Sequence, residues 1–178
     1  AGARARIGRL AMTYTLEAFV KDTQAALRDT AGPAGREKVR VLLERLLANP
    51  AFVDEAVGPN APTGTRKLYE DKEQGFVVLA HCNPKPHKSP PHDHGPSWAI
   101  YGQVSGETKM YDWELVSPAG PDKTGKVKHK KDYTLKPGIA HVYNEGDLHS
   151  PSRAGPTRLI RIEGINMENV KRFKYEAV

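Results

Sequence analysis

Apolar residues follow two different patterns along the chain. In the first third they recur at spacings of three and four residues, which is the period of one face of an α-helix. This pattern predicts two amphipathic helices. The first is carried by Leu16, Phe19, Val20, Thr23 and Leu27, and the second by Val39, Leu42, Leu43, Leu46 and Leu47.

Turn-forming residues mark the ends of these helices. Either Thr13 or Thr15 can cap the first helix, and Gly32-Pro33 ends it. Asn49-Pro50 ends the second helix, after which Ala51 to Val57 can add a short helical turn. The sequence therefore predicts an N-terminal pair of helices within residues 13–60.

From Thr65 onward the pattern changes to short apolar runs separated by turns that contain Gly, Pro, Asn or Asp. Many short strands at such spacing predict a mainly β fold, an antiparallel sandwich or barrel, over residues 64–178. The tail from Asn166 to Val178 is predicted as a last helix or strand. The predicted strands are Arg66 to Tyr69, Phe76 to His81, Trp98 to Val104, Thr108 to Leu115, Lys126 to Thr134, Ala140 to Tyr143 and Leu159 to Ile162.

The length of 178 residues is that of a single domain overall. Residues 1–12 are interpreted as a tag or an upstream extension, with Met12 near the native start and a transit peptide as the alternative. Cys82 is the only cysteine, so no internal disulfide can form. This fits a reducing compartment, and we expect a cytoplasmic protein.

The formal net charge is +6, but the basic residues are scattered. Their densest cluster, within residues 123–131, lies in a predicted solvated hairpin, so we expect no nucleic-acid partner. No apolar run approaches the length that spans a bilayer, so no membrane partner is expected either. A modest positive field favours a small anionic substrate. The expected assembly is a monomer or a homodimer.

Three histidines form the strongest chemical signal. His92 and His94 stand two residues apart, so on an extended strand their side chains share one face. His149 follows two predicted turns built on Gly138 and Gly146, and it enters the next strand. Three neutral imidazoles suit iron, zinc, nickel, manganese or copper and leave coordination positions open. We therefore predict metal ligation by His92, His94 and His149, with His141 as the reserve for the third ligand.

These motifs resemble those of the cupin superfamily, and specifically of cysteine dioxygenase and other thiol dioxygenases. The first cupin motif is matched by Pro91 to His94 with Trp98 to Gly106, and the second by Lys136 to His149. The resemblance covers about residues 66–164 and implies a double-stranded β-helix, or jelly-roll barrel. It also implies iron(II) as the favoured metal and dioxygen as a partner. Many cupins add a glutamate ligand where this chain has Trp98 and Ala99, so a three-histidine site is expected.

The resemblance also suggests residues around the metal. Arg66 corresponds to an arginine that binds the substrate carboxylate in cysteine dioxygenases, and Trp98 and Tyr101 are candidates to line the pocket. Where those enzymes carry a Ser-x-His-x-Tyr pattern, this chain has Leu159, Arg161 and Glu163. Ala99 stands where some relatives have a crosslinked cysteine. We expect Arg66, Arg161 and Glu163 in catalytic roles and Arg66, Trp98, Tyr101 and Arg161 in substrate binding.

Two functions remain open at this point. The first is a mononuclear non-heme iron(II) dioxygenase that oxidises a small thiol or carboxylic acid. The second is a metal-binding cupin without redox turnover: an isomerase, a hydrolase that uses metal-bound water, or a small-molecule sensor. The departures from the Ser-x-His-x-Tyr pattern favour the second.

Overall fold

The computed structural model describes residues 14–178, so the predicted extension of residues 1–12 lies outside the described residues. The chain begins with three helices. The side chain of Thr15 accepts a hydrogen bond from the Ala18 N–H and caps the first of them. The helices are α1 (Leu16–Asp29), α2 (Pro33–Leu47) and α3 (Pro50–Val57).

The predicted helical turn after Asn49 is a complete helix, so the N-terminal segment holds three helices rather than a pair. Pro50 stands in its first turn, and the Asn49 side chain accepts a hydrogen bond from the Ala51 N–H. Proline has no N–H to lose in the first turn, and its fixed φ suits that position. The same Asn49-Pro50 pair therefore ends α2 and begins α3.

Ten strands follow the helices. The seven predicted strands are all present, and three more strands accompany them: the strand that His149 was expected to enter, a strand within the tail predicted as a helix or strand, and a two-residue strand at His87–Lys88 that was not predicted. The strand in the tail pairs parallel to β6. The strands are β1 (Gly64–Glu70), β2 (Val77–Asn83), β3 (His87–Lys88), β4 (Ala99–Ser105), β5 (Thr108–Ser117), β6 (Gly125–Leu135), β7 (Ala140–Tyr143), β8 (His149–Arg153), β9 (Thr157–Glu163) and β10 (Tyr175–Ala177).

The strands form two five-stranded sheets. The first has the order β1-β2-β9-β4-β7 and the second has the order β10-β6-β5-β8-β3. Except for β10 with β6, the paired strands are antiparallel. Apart from the pairs β1–β2 and β5–β6, each strand lies in the sheet opposite to the strand before it, as in jelly-roll barrels. The predicted mainly β, double-stranded β-helix fold is confirmed.

The first sheet packs on two hydrophobic cores. Its outer face meets the helices, and Leu43 of α2 is buried in the same core as Ile100 of β4 and Ile160 of β9. Its inner face closes the barrel around a smaller aromatic core that includes Tyr101 and Tyr143. Cys82 is 6 % exposed and lies in the outer core beneath the helices.

The two predicted turns before His149 are confirmed. Gly138 has φ +89° and Gly146 has φ +80°, a region that side chains with a Cβ rarely adopt. The first turn delivers β7 to the edge of the first sheet. The second returns the chain across the barrel, so that β8 begins at His149. Among residues 14–178, no helix combines the length and the apolar character that crossing a bilayer requires.

The packing of α2 on the barrel can be tested with a truncation. Leu43→Ala removes a side chain that is fully buried between α2 and the first sheet. We expect a fall of about 2–5 kcal/mol in the free energy of unfolding, since such a change combines lost transfer energy with a cavity. Urea denaturation measures it. Val41→Ala, on the exposed side of the same helix, is the control and should change stability by no more than about 0.5 kcal/mol.

Candidate metal centre and adjoining cavity

His92 and His149 are held together by their own backbones. The His92 N–H donates to the His149 carbonyl at 3.0 Å, and the His149 N–H donates to the His92 carbonyl at 2.9 Å. The segment around His92 therefore forms a single isolated bridge, and not the extended strand on which the shared face of His92 and His94 was argued. Pro90 and Pro91 have no N–H to extend the ladder, and Gly95 turns the chain away with φ +56°.

The three imidazoles converge on one point. His92, His94 and His149 each offer a ligand atom, and these atoms all lie within 4.8 Å of one another. His94 Nε2 is 3.2 Å from His149 Nε2. Two nitrogens that bind one ion at 2.0–2.1 Å stand roughly 3 Å apart. The spacing therefore fits ligands of a shared transition-metal ion.

Backbone carbonyls orient two of these rings. His92 Nδ1 lies 2.8 Å from the Pro90 carbonyl, and His149 Nδ1 lies 2.8 Å from the Asp147 carbonyl. An Nδ1–H that donates to a carbonyl leaves the Nε2 lone pair free, which is the usual arrangement behind a metal-bound histidine. The residues present thus fit a metal, and the chemistry of the donor set is that of borderline ions such as iron, zinc, nickel or copper.

Burial keeps the three rings neutral, as ligation requires. Desolvation lowers the pKa of His149 to about 3 and holds the pKa of His94 far below its ordinary value. Desolvation also lowers the pKa of His92. Within residues 14–178 no carboxylate joins the three-histidine group. The absence of a carboxylate agrees with the expectation of a site built from histidines alone.

The reserve ligand lies elsewhere. The His141 ring stacks on Tyr133 with centroids 4.8 Å apart, and His141 is not part of the group. Asp93, between the first two histidines, accepts a hydrogen bond from the Gly95 N–H at 3.0 Å and so stabilises the turn.

A cavity of about 210 Å³ adjoins the histidines. His92 reaches its wall directly. Tyr101 forms another part of the wall, and its hydroxyl lies 3.0 Å from His94 Nε2. The cavity is therefore placed to hold a small molecule beside the candidate metal. Its wall also includes His81, Arg153, Leu159 and Arg161.

Strand β9 separates the cavity from the helices. Ile160 and Ile162 face the helix-covered core, whereas Leu159 and Arg161 face the cavity. Arg161 Nε lies 3.0 Å from Glu163 Oε1, and the Glu163 side chain is only 4 % exposed. Arg161 Nη1 also lies 3.5 Å from the Tyr101 hydroxyl. The structure thus brings Arg161, Glu163 and Tyr101 together on the inner face.

Arg66 is not brought to this site. Its Nη2 donates to the Ala56 carbonyl of α3 at 2.9 Å. Arg66 is paired with Ala80, which faces the helices, while the neighbouring Thr65 bonds to His81 on the cavity side. Because side chains alternate along a strand, Arg66 points away from the cavity. The structure therefore does not bring Arg66, expected in catalysis and carboxylate binding, to the histidines or to the cavity.

Trp98 also lies on the other face. It is 8 % exposed and packs in the helix-covered core with Ile100, and the Arg36 guanidinium lies 5.6 Å from its ring centroid. Trp98 and Tyr101 are three residues apart, so the alternation that turns Tyr101 inward turns Trp98 outward. The structure therefore does not place Trp98, expected in substrate binding, on the cavity wall.

Sequence reasoning missed several residues of the cavity wall, among them Arg153 and His81. Arg153 stands four positions after His149 on the same strand, so period-two alternation from the third ligand would have placed it on the same face. His81 belongs to no motif, and it is held by a 2.9 Å contact between its Nδ1 and Thr65 Oγ1. Nothing in the local sequence distinguishes His81 from a surface histidine.

Comparisons with known proteins give a likeness in fold. No protein-family model matches the chain, and no curated protein matches it. A conserved double-stranded β-helix protein from Klebsiella pneumoniae is 19% identical over 70% of this chain and 88% of that one, with a TM-score of 0.45. A cupin superfamily protein from Desulfitobacterium hafniense is 11% identical over 62% and 87% of the two chains, with a TM-score of 0.41.

A third solved structure, the cupin domain of Cnp3 from Schizosaccharomyces pombe, is 10% identical over 57% of this chain and 64% of that one, with a TM-score of 0.42. The chain has a double-stranded β-helix, or jelly-roll, fold. This assignment follows from the order of its strands, and the distant neighbours say nothing about activity.

Removing one ligand should empty the metal centre. With His149→Ala, we expect the purified, dialysed protein to lose the metal that the wild type retains, because two imidazoles hold an ion far more weakly than three. Elemental analysis measures the metal per chain. His129→Ala, at an exposed position on β6, is the control and should keep full occupancy. A fully loaded His149→Ala protein would place the third ligand elsewhere.

The cavity should make the metal-free protein sensitive to acid. Burial, followed by the nearby Arg161 and Arg153 charges, lowers the pKa of His81 to about 3. The unfolded chain binds this proton below about pH 6.5 while the folded chain does not, so the free energy of unfolding falls as the pH drops from about 6.5 towards 3. In His81→Gln this fall should be shallower by up to about 1.4 kcal/mol per pH unit.

Urea denaturation of the metal-free protein between pH 4 and 7 measures this slope. His129→Gln, which removes an exposed histidine, should leave the slope close to that of the wild type. Equal slopes in wild type and His81→Gln would contradict a neutral His81 in the folded protein.

Proposed function

We propose that this protein is a mononuclear metal-dependent enzyme of the iron(II) dioxygenase type that acts on a small thiol or carboxylic acid. The observation that carries the proposal is the convergence of His92, His94 and His149 at the wall of a cavity, with no carboxylate among the donors. When bound there, iron(II) supplies open coordination positions and redox chemistry that side chains lack.

The chain's own groups would position the substrate. Arg161 carries a positive charge on the cavity wall, and the buried Glu163 carboxylate lies 3.0 Å from its Nε. An arginine fork can hold an anionic group of the substrate. Leu159 and Pro151 add apolar wall that limits the access of water.

Tyr101 is the candidate for proton handling. Its hydroxyl lies between His94 Nε2 at 3.0 Å and Arg161 Nη1 at 3.5 Å, and the residue is 2 % exposed. A hydroxyl in this position can donate a proton to, or accept one from, a group bound beside the histidines. This also supports a second function: a metal-dependent isomerase or hydrolase without redox turnover, in which Tyr101 serves as the acid or base.

Oxygen consumption separates the two functions. Anaerobically iron-loaded protein is mixed with air-saturated buffer and a panel of small thiols and carboxylic acids. If the protein is a dioxygenase, oxygen uptake should be proportional to the amount of one of these compounds that is consumed. The zinc-loaded protein should then take up no oxygen. Conversion of a substrate by the zinc protein without oxygen uptake would favour the second function.

Tyr101→Phe refines the test. We expect a fall in kcat of about 10²–10⁴-fold, the usual contribution of a positioned proton donor or acceptor, while the metal per chain stays unchanged. Tyr111→Phe, on β5 and outside the cavity wall, is the control. An unchanged kcat in Tyr101→Phe would leave this hydroxyl without a catalytic role.

A further inference from the structure

Arg153 ends the strand that begins with the third histidine. On β8, His149, Pro151 and Arg153 are two residues apart, so their side chains share one face. Both Pro151 and Arg153 lie on the cavity wall, together with Arg161 and His92. The strand therefore presents a metal-ligand candidate at one end and a guanidinium at the other, with the cavity between them.

Arg153 has no acidic partner. Among residues 14–178, the arginines that form ion pairs are Arg36, Arg40 and Arg161. Arg153 Nε makes one long contact, 3.3 Å to Thr108 Oγ1. Within the same range no side-chain hydrogen bond from either Arg153 Nη is found, so its fork is free to bind another group. A partly buried charge of this kind is costly unless something pairs with it.

The balance of charge in the cavity is positive. Arg161 is compensated by Glu163, whereas Arg153 is not. His81 adds no charge, because burial lowers its pKa to about 3. Burial also lowers the pKa of Arg153, an effect that Tyr101 opposes and Arg161 reinforces. A guanidinium nevertheless stays protonated in proteins. Two guanidiniums and one carboxylate leave an excess of one positive charge.

We propose that this cavity binds the carboxylate of the substrate, with Arg153 as its anchoring residue and Arg161 beside it, so that the remainder of the molecule extends towards His92. This rests on the proposed function for the reaction, but the anion site itself does not require the metal. A carboxylate matches the planar, bidentate donor pattern of a guanidinium and neutralises the excess charge. The enzyme would then be specific for small organic acids, and Arg153 on β8 would determine this specificity.

The test uses metal-free protein and propionate as the probe, with propionamide as its neutral counterpart of similar size. Titrations are followed by nitrogen-15 NMR, including the arginine Nε–H resonances. We expect saturable shifts at the Nε–H of Arg153 with propionate and none with propionamide. In Arg153→Met the dissociation constant for propionate should rise at least about tenfold.

Arg28→Met is the matched control, since it removes one positive charge at an exposed position on α1; its affinity should stay within about twofold of wild type. Arg153→Lys keeps the charge without the fork and should bind with intermediate affinity. It also serves as the test if Arg153→Met does not fold. Equal propionate affinity in wild type and the Arg153 variants, or equal binding of propionamide, would overturn the proposal.

Metal content, measured on the same proteins, separates this proposal from the proposed function. Loss of propionate binding with unchanged metal content in Arg153→Met supports the anion site. Wild-type protein that binds propionate through Arg153 but retains no metal also supports the anion site, while it contradicts the metalloenzyme. Wild-type protein that retains metal but shows no saturable propionate binding overturns the anion site alone.

Discussion

The site depends on two reciprocal backbone hydrogen bonds between His92 and His149. They bind a short proline-rich segment to the start of β8, although the two residues are far apart in sequence. Each histidine also directs its Nδ1 to the carbonyl two residues before it, Pro90 and Asp147 respectively. Each ring is thus oriented by its own chain segment, and the bridge needs only to bring the two segments into register.

Strand β9 connects the site to the rest of the barrel. Its outward face is apolar and carries the contact with the helices, while its inward face carries Arg161 and Glu163. An ion pair inside a barrel contributes little net stability, because desolvation offsets the attraction. The pair instead places a buried negative charge beside the guanidinium that lines the cavity. The helices support the same arrangement from outside by burying Ile160 and Ile162.

Much of this arrangement could be predicted from the sequence, because it follows from local spacing. The helical period, the turn glycines Gly138 and Gly146, and the histidine spacing are properties of short segments. Which residues of β1 point into the barrel could not be predicted in the same way. Arg66 and Lys67 are adjacent cations, so the pattern does not say which one points inward, and a shift of one residue exchanges the two faces.

Other features could be predicted from the sequence only after one residue of the strand had been assigned to a face. Trp98 and Tyr101 stand at an odd spacing, so a single strand could never turn both towards the cavity. Arg153 follows from alternation once His149 is accepted as a ligand. The 3.2 Å approach of His94 to His149, in contrast, depends on how the loop that carries His94 lies against the start of β8. No segment of the sequence contains that information.

The position of Cys82 has a practical consequence for handling a protein proposed to act on thiols. The only sulfhydryl of the chain lies beneath the helices and is 6 % exposed. While the fold is intact, added thiols and disulfides meet no accessible protein sulfur with which to exchange. Alkylating reagents should therefore react with Cys82 only when the helices separate from the barrel, which makes this residue a built-in reporter of local opening.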